Sequence, residues 1–429
     1  MKKRVLAKFA FVNLKYRPKK KDLICLFKVS PAKGLSIKKA ANTVALESSV
    51  GTWTPVSSSK RYVNKLAAKV FSINGKNVKI AYPIRLFEED NAPNILSSIA
   101  GNIFGMKAIE NLRLEDIDFP DKIIESFPGP RYGIKGIRKI LKVRKRPLVG
   151  TIVKPKLGLK TKDHVNVARE AWVGGCDLVK DDENLASQSF NQFDKRAAKT
   201  LEMADLAEAE TGEKKGYLIN VTAETGEMLK RADVVKELGG KFVMHDIITS
   251  GFASLQTLRE NTKLVIHAHR AMHGAFTENP LHGISMMVIA DFSRMIGVDS
   301  LHIGTGIGKM KGKVEEVENI REEIELPKVK ETKFRLAENW VNKKPVMAVC
   351  SGGIYPGHIP YLIEHFGKDI IIQAGGGIHG HPDGTRVGAR AMRQGVDAVM
   401  KKKTLKQWVA ERDASELGAA LKFWGKIRF

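Results

Sequence analysis

AWVGGCDLVKDDEN, residues 171–184, is the stretch from which the rest of the chain is read. Gly174 and Gly175 close a helical run, and Asp177, Leu178 and Val179 read as the buried strand that follows. Lys180, Asp181, Asp182 and Glu183 then set one amine against three carboxylates where that strand runs out. Side chains two residues apart on a strand share a face. Lys180 and Asp182 therefore face one space, and Glu183 reaches it from the turn. Asp182 and Glu183 are hard oxygen donors, suited to Mg²⁺ rather than zinc. An ammonium repels a cation, so Lys180 fits such a site only if CO₂ adds to its neutral amine and makes a carbamate, a third anionic oxygen ligand. The plainer reading of the same residues is an ion pair at a strand–loop junction.

Outward from this stretch the pattern is regular. Apolar strand candidates occupy 148–153, 177–179, 217–221, 242–244, 264–266, 300–303, 346–349 and 370–372. Amphipathic runs such as 164–172, 190–210, 281–296 and 314–324 lie between them. Eight strands alternating with helices over about 250 residues is the arithmetic of an α/β (β/α)₈ TIM barrel, with a doubly wound open sheet as the alternative. A barrel places its chemistry at the C-terminal ends of its strands, and polar residues gather there. The first strand ends in Lys154 and Lys156, the second in Lys180, Asp182 and Glu183, the fifth in His267, His269 and Arg270. The sixth ends in His302 ahead of the glycine-flanked Lys309, the seventh in Ser351, Gly352 and Gly353, the eighth in Gly375, Gly376 and Gly377.

Residues 1–140 read differently. Strand signals at 23–29, 78–82 and 112–117 mix with helical ones at 37–46 and 93–104, which suggests an N-terminal α+β domain before a barrel with C-terminal helices over 141–429. The stretch ESSVGTWT, 47–54, is too polar and small for a core and reads as a loop that meets something.

A chain of 429 residues with 43% hydrophobic content suits two domains. No apolar run reaches the roughly 18–20 residues of a membrane span, and no signal peptide is read at the start. Cys25, Cys176 and Cys350 form neither a CxxC nor a disulfide framework, which suits a reducing cytoplasm. The net charge of +25 and pI of about 9.8 draw partly on Lys2, Lys3, Arg4, Lys19–Lys21 and Lys401–Lys403. Such charge attracts nucleic acid, membrane surfaces or phosphorylated substrates. Without an RNP motif, zinc finger or basic heptad, a specific nucleic-acid partner is not expected, and neither is a membrane.

The chemistry follows from these pieces. Glycine-rich turns after the seventh and eighth strands present backbone N–H groups to a phosphate. Arg270 and His302 suit a second phosphate, with the guanidinium fork giving geometry. Two phosphate sites across one barrel mouth imply a bisphosphate. Mg²⁺ between them polarises a carbonyl oxygen, Lys154 and Lys156 move protons, and the Lys309 loop closes as a lid. The reading is Mg²⁺-assisted proton abstraction beside a carbonyl of a sugar bisphosphate.

GTIVKPKLGL (150–159), GGCDLVKDDEN (174–184), HAHRAMH (267–273), LHIGTGIGK (301–309), CSGG (350–353) and QAGGGIHGHPDG (373–384) together resemble the large chain of ribulose-1,5-bisphosphate carboxylase/oxygenase, RuBisCO. ESSVGTWT and AGNIFG (100–105) resemble its N-terminal domain, and the compact length resembles the archaeal-type form III enzymes, which have no small subunit. The resemblance implies a ribulose-bisphosphate carboxylase that turns ribulose 1,5-bisphosphate and CO₂, or O₂, through enolisation, hydration and C–C cleavage, with two 3-phosphoglycerate as the carboxylation product. It implies that Lys180 carries CO₂ as a carbamate, which takes the C3 proton and holds one Mg²⁺ per site with Asp182 and Glu183. It makes Lys154 the acid–base that protonates the product carbanion, Lys156 its neighbour on the metal side, and His269 a helper of hydration. Lys309 would hold the incoming carboxylate, Arg270 and His302 one phosphate, and Ser351 a substrate hydroxyl. Gly353, Gly375 and Gly376 would bind the other phosphate with Thr52 and Trp53. In the family, the positions of Glu47, Thr52, Trp53 and Asn102 come from a neighbouring subunit, so a homodimer is the smallest competent unit, alone or within a larger assembly of dimers. Form III character implies that the substrate comes from AMP and nucleotide salvage.

Two residues depart from the pattern: Gly306 stands where the family usually has valine, and Lys311 where an acid is common. The basic charge is also unusual for the family. Rival readings are a RuBisCO-like enolase or isomerase of sulfur salvage, and a non-catalytic basic binding protein on the same barrel.

Overall fold

The computed structural model describes residues 11–54, 56–309 and 312–425; Lys2, Lys3, Arg4 and Lys311 lie outside them. The chain forms two compact units. One comprises 1–128, 272–295 and 326–343, the other 129–271, 296–325 and 344–429.

The first unit carries a five-stranded sheet in the spatial order Gly283–Ile284, Ile109–Asp118, Asp22–Pro31, Asn77–Pro83, Lys69–Asn74. Its longer strands are antiparallel, and Leu23, Phe27, Val29, Ile80 and Leu112 on them are fully buried. The strand Lys69–Asn74 lies outside the strand signals read from the sequence. Helix Ile37–Glu47 begins where the Ser36 side chain accepts from the Lys39 amide, and it buries Ala40, Ala41, Val44 and Ala45. Two expected helices are shorter than the sequence suggests. The run 93–104 divides into Ala92–Ala100 and a 3₁₀ turn Asn102–Gly105, because the chain turns at Gly101 so tightly that a Cβ there would sit 2.3 Å from the Ser97 carbonyl oxygen. The run 281–296 starts as the strand Gly283–Ile284, and only Met286–Ile296 is helical. Gly283, at φ +117°, does not fit a right-handed helix.

The second unit is a closed parallel barrel. Its strands, in chain order, are Leu148–Ile152, Leu178–Lys180, Gly216–Asn220, Phe242–Asp246, Val265–His269, Ser300–His302, Met347–Ser351 and Ile370–Gln373. Each pairs with its neighbours in that order, and the eighth returns to the first through Ile371–Leu148 and Gln373–Gly150. The helix Gly133–Leu141 seals the N-terminal end: Ile134, Ile137 and Leu141 join Leu148, Leu178, Leu218, Phe242, Val265, Met347 and Ile371 in one apolar cluster. The buried Asp299 carboxylate holds the start of this helix by accepting from the Tyr132 and Gly133 amides at 2.6 and 2.9 Å. That packing is why the compact unit begins at Gly129, upstream of the 140/141 division expected from sequence pattern. With one end filled by hydrocarbon, the strand C-termini are left for polar chemistry.

Candidate active site

Leu178 lies in the barrel's apolar cluster, so Lys180, two residues on, points into the same interior. Its side chain is buried, and Nζ donates to the Asp181 carbonyl at 2.7 Å and to Glu183 Oε2 at 3.2 Å, with Met244 Sδ at 3.1 Å. Lys154 arrives from the end of the first strand and places Nζ 2.6 Å from Asp182 Oδ2. Lys156, further out, reaches Asn184 Oδ1 at 3.4 Å. Burial alone pushes the Glu183 carboxyl up, but the Lys180 ammonium and His269 outweigh it and hold it down at about 2. Glu183 is thus held anionic beside Lys180, and Asp182 is paired with Lys154.

Asp181 behaves differently. It points out of the barrel, where it accepts from Arg196 Nε at 3.2 Å, the Asn220 amide at 3.0 Å and the Tyr217 hydroxyl, with His164 Nε2 at 3.3 Å. The KDDE run is therefore split by strand alternation into an interior-facing set and a structural anchor.

Three histidines come from the fifth and sixth strands. His269 Nδ1 meets Asp246 Oδ1 at 2.9 Å, and its Nε2 lies 3.6 Å from Glu183 Oε2. His302 is buried, with Nε2 2.9 Å from His267 Nε2 and Nδ1 2.8 Å from Ser351 Oγ. Burial, with Lys180 and the neighbouring histidines adding to it, pushes both His267 and His302 well below the usual imidazole range. Arg270 is half-buried beside Gly304, and its guanidinium has no hydrogen-bond partner among the described residues.

The glycine turns are built for close approach. A Cβ on Gly375 would stand 3.1 Å from Lys154 Cε. A Cβ on Gly353, which sits at φ +76°, would strike the Lys309 amide nitrogen at 2.8 Å. The Lys309 amide donates to the Gly352 carbonyl at 3.2 Å, so the segment ending in exposed Lys309 lies on the turn after the seventh strand. Gly376 opens the short helix Gly376–His379, and no heavy atom lies where its Cβ would contact one.

The barrel thus assembles Lys154, Lys156, Lys180, Asp182, Glu183, His269, Arg270, His302, Lys309, Ser351, Gly353, Gly375 and Gly376 at one end. Glu47, Thr52, Trp53 and Asn102 lie in the other compact unit. There Ser48 bonds Tyr82 at 2.8 Å and Ser49 accepts from the Ala68 amide at 3.2 Å, which anchors the start of their loop. Thr52 and Asn102 are exposed, and Trp53 is 89% exposed.

Three participants received no role in the sequence reading. Asp246 went unseen because the fourth strand runs two residues beyond its apolar core, Phe242–Asp246 instead of 242–244. Asn220 Nδ2 donates to the Glu183 and Leu185 carbonyls at 3.1 Å and holds the turn after the second strand. His267 was visible as a strand-end histidine, and only barrel closure shows its partner.

Among the described residues, no three His, Cys, Asp or Glu side chains converge as a metal site. Asp182 and Glu183 by themselves make an incomplete oxygen cage, and the buried Lys180 amine, 3.2 Å from Glu183, would add a third oxygen donor by taking up CO₂. The donor set fits Mg²⁺ on that condition.

Comparison with known proteins identifies the family. Residues 133–424 match the family of the ribulose bisphosphate carboxylase large chain, catalytic domain, and residues 10–123 match its N-terminal domain. The chain belongs to the ribulose bisphosphate carboxylase large-chain family. A RuBisCO relative named ribulose bisphosphate carboxylase, from Methanocaldococcus jannaschii, is 50% identical over 428 residues, covering 96% of this chain and 99% of the relative. One from Pyrococcus furiosus is 46% identical and covers 97% and 98%. A solved dimeric archaeal RuBisCO from Hyperthermus butylicus superposes with a TM-score of 0.91 at 47% identity, covering 97% and 99%. The octameric RuBisCO of Pyrococcus horikoshii OT3, solved with sulfate ion, gives 0.90 at 44%, covering 98% and 97%.

Proposed function

We propose that this protein is a ribulose-1,5-bisphosphate carboxylase that enolises its substrate, adds CO₂, hydrates the product and cleaves it to two 3-phosphoglycerate, with O₂ as the alternative gaseous substrate. The observation that carries the reading is the buried Lys180 amine set between Glu183, Asp182 with its Lys154 partner, and the His269–Asp246 pair. Asp182, Glu183 and Lys180 carrying CO₂ would hold Mg²⁺, which when bound supplies the charge that acidifies a proton beside the substrate carbonyl. Lys180, in that form, accepts the C3 proton. Lys154 is close enough to Asp182 to be held in place until it donates its proton to the product carbanion. Lys156 assists on the metal side. His269, oriented by Asp246, helps water add to the carboxylated intermediate. Arg270 binds one phosphate, and His302, whose two ring nitrogens meet His267 and Ser351, lines the same site. The backbone at Gly353, Gly375 and Gly376 binds the other, and Ser351 holds a hydroxyl. Lys309 holds the incoming carboxylate and closes the site to water.

The smallest competent unit is a homodimer, because Glu47, Thr52, Trp53 and Asn102 of a second copy complete the site; the near-full exposure of Trp53 supports this. The dimeric and octameric archaeal neighbours support a homodimer, alone or within a larger assembly of dimers, and the form III resemblance is the basis for assigning the enzyme to AMP and nucleotide salvage. The three buried free thiols support a cytoplasmic location.

The test is fixation of labelled CO₂ into acid-stable product after preincubation with Mg²⁺ and bicarbonate. Wild type should fix CO₂, while Lys180→Ala and Lys309→Ala should lose the activity, and chelation before substrate should abolish it. A folded, dimeric, preincubated wild type that fixes nothing would transfer the reading to the enolase of sulfur salvage.

A further inference from the structure

Four side chains form an unbroken line inside the barrel: Ser300 Oγ to His267 Nδ1 at 2.9 Å, His267 Nε2 to His302 Nε2 at 2.9 Å, and His302 Nδ1 to Ser351 Oγ at 2.8 Å. The line runs from the base of the sixth strand, through the fifth, to the end of the seventh. Ser300, His267 and His302 are buried. The only side-chain partner of Ser300 Oγ among the described residues is His267.

Two like nitrogens facing each other at this distance constrain the protons. Burial keeps both rings neutral, and a neutral imidazole has one donor and one acceptor nitrogen. One Nε2 must therefore carry hydrogen and the other must accept. If His267 donates, its Nδ1 accepts from the Ser300 hydroxyl, His302 Nδ1–H donates to Ser351, and the Ser351 hydroxyl hydrogen is free for a ligand. If His302 donates, its Nδ1 accepts the Ser351 hydrogen, and Ser351 meets a ligand as acceptor only. The two arrangements have the same number of hydrogen bonds, so the choice rests on the ends of the line.

We propose that His267, set by Ser300, is a positioning residue that decides through the His302 tautomer whether Ser351 donates to or accepts from the substrate hydroxyl. His267 itself touches no substrate. The substrate hydroxyl rests on the carboxylase reading; the proton arrangement does not.

The test is a double-mutant cycle. Ser300→Ala, His267→Gln and Ser351→Ala are made singly, and the first two are also combined with Ser351→Ala. KM for ribulose 1,5-bisphosphate and kcat are measured for each. Histidine-labelled protein reports the ring-nitrogen tautomers by ¹⁵N NMR, with the His302 signals assigned from His302→Gln. Removing one hydrogen bond of the line should raise KM about threefold to tenfold, and the same change in the Ser351→Ala background should add almost nothing. The His302 ring signals should shift in both Ser300→Ala and His267→Gln. Effects that multiply across backgrounds, or His302 signals that stay fixed in both variants, would overturn the proposal. If His267→Gln fails to fold, the small change Ser300→Ala carries the test. A wild type without carboxylase activity would remove the substrate assignment, while the NMR result still decides the line.

Discussion

Replacing Asp181 by alanine separates the two faces of the KDDE run more sharply than any change inside the site. The carboxylate is fully buried and accepts from Arg196, Tyr217 and the Asn220 amide, with His164 close by. Burial pushes this acid up, and Arg196, His164 and Tyr217 more than reverse that, leaving it well below the ordinary carboxylate range. Alanine leaves the Arg196 charge buried without its carboxylate, held by neutral groups such as the Asn191 and Ala186 carbonyls, which it reaches at 2.8 and 2.7 Å. Breaking a buried pair by removing one partner costs about 3–5 kcal/mol, on the order of 10 °C in melting temperature for a unit of this size. Asp181→Asn keeps the shape and an acceptor but loses the charge, so it should fall between. Melting followed by circular dichroism checks the stability, and labelled-CO₂ fixation below the melting range checks the site. The expected result is a large loss of stability with most of the activity kept at low temperature. A variant that melts within a degree or two of wild type would refute the energetic argument. One that is stable yet inactive would refute the assignment of Asp181 to the outer face.

Gly306 sits at φ +62°, and a Cβ there would fall 2.8 Å from Val314 Cα. Restoring the usual valine should cost about 1–3 kcal/mol at the loop base, lower the melting temperature by about 2–4 °C per kcal/mol and lower the carboxylation rate; a Gly306→Val enzyme as fast as wild type would show that the loop does not depend on this turn. His245 is buried, which holds its imidazole down at about 4, below the ordinary 6.5, despite Asp246 nearby. A depressed histidine stays neutral in the folded state while the unfolded chain takes up a proton, so its contribution is intact above pH 6.5 and is lost as the pH falls toward 4. That loss amounts to about 3 kcal/mol. Urea midpoints measured across pH 7 to 4 should fall more steeply in wild type than in His245→Gln, and parallel curves would contradict the assignment.

Much of the site was legible along the chain because strand ends announce themselves locally. Lys154 and Lys156 follow one apolar run, Lys180, Asp182 and Glu183 another, and alternation alone predicts that Lys180 and Asp182 share a face while Asp181 does not. The expected strands lie within a few residues of the observed ones for the same reason: a buried parallel strand is a short apolar run. Where reading failed, a local signal was missing or misleading. Gly101 and Gly283 interrupt runs whose apolar spacing still looks helical. Asp246 lies beyond the apolar part of its strand.

By itself, the sequence determined the barrel, the end of it that carries chemistry, and the residue types gathered there, since each depends on periodicity within a dozen residues. Tertiary structure alone decided the partners. His267 meets His302 across 35 positions and Arg196 reaches Asp181 across 15. The same holds for the helix Gly133–Leu141, which belongs with the barrel because closure leaves an apolar hole at its N-terminal end. These contacts come into being when eight separate strands close into one ring, and no local pattern encodes which side chains that closure brings within hydrogen-bonding distance.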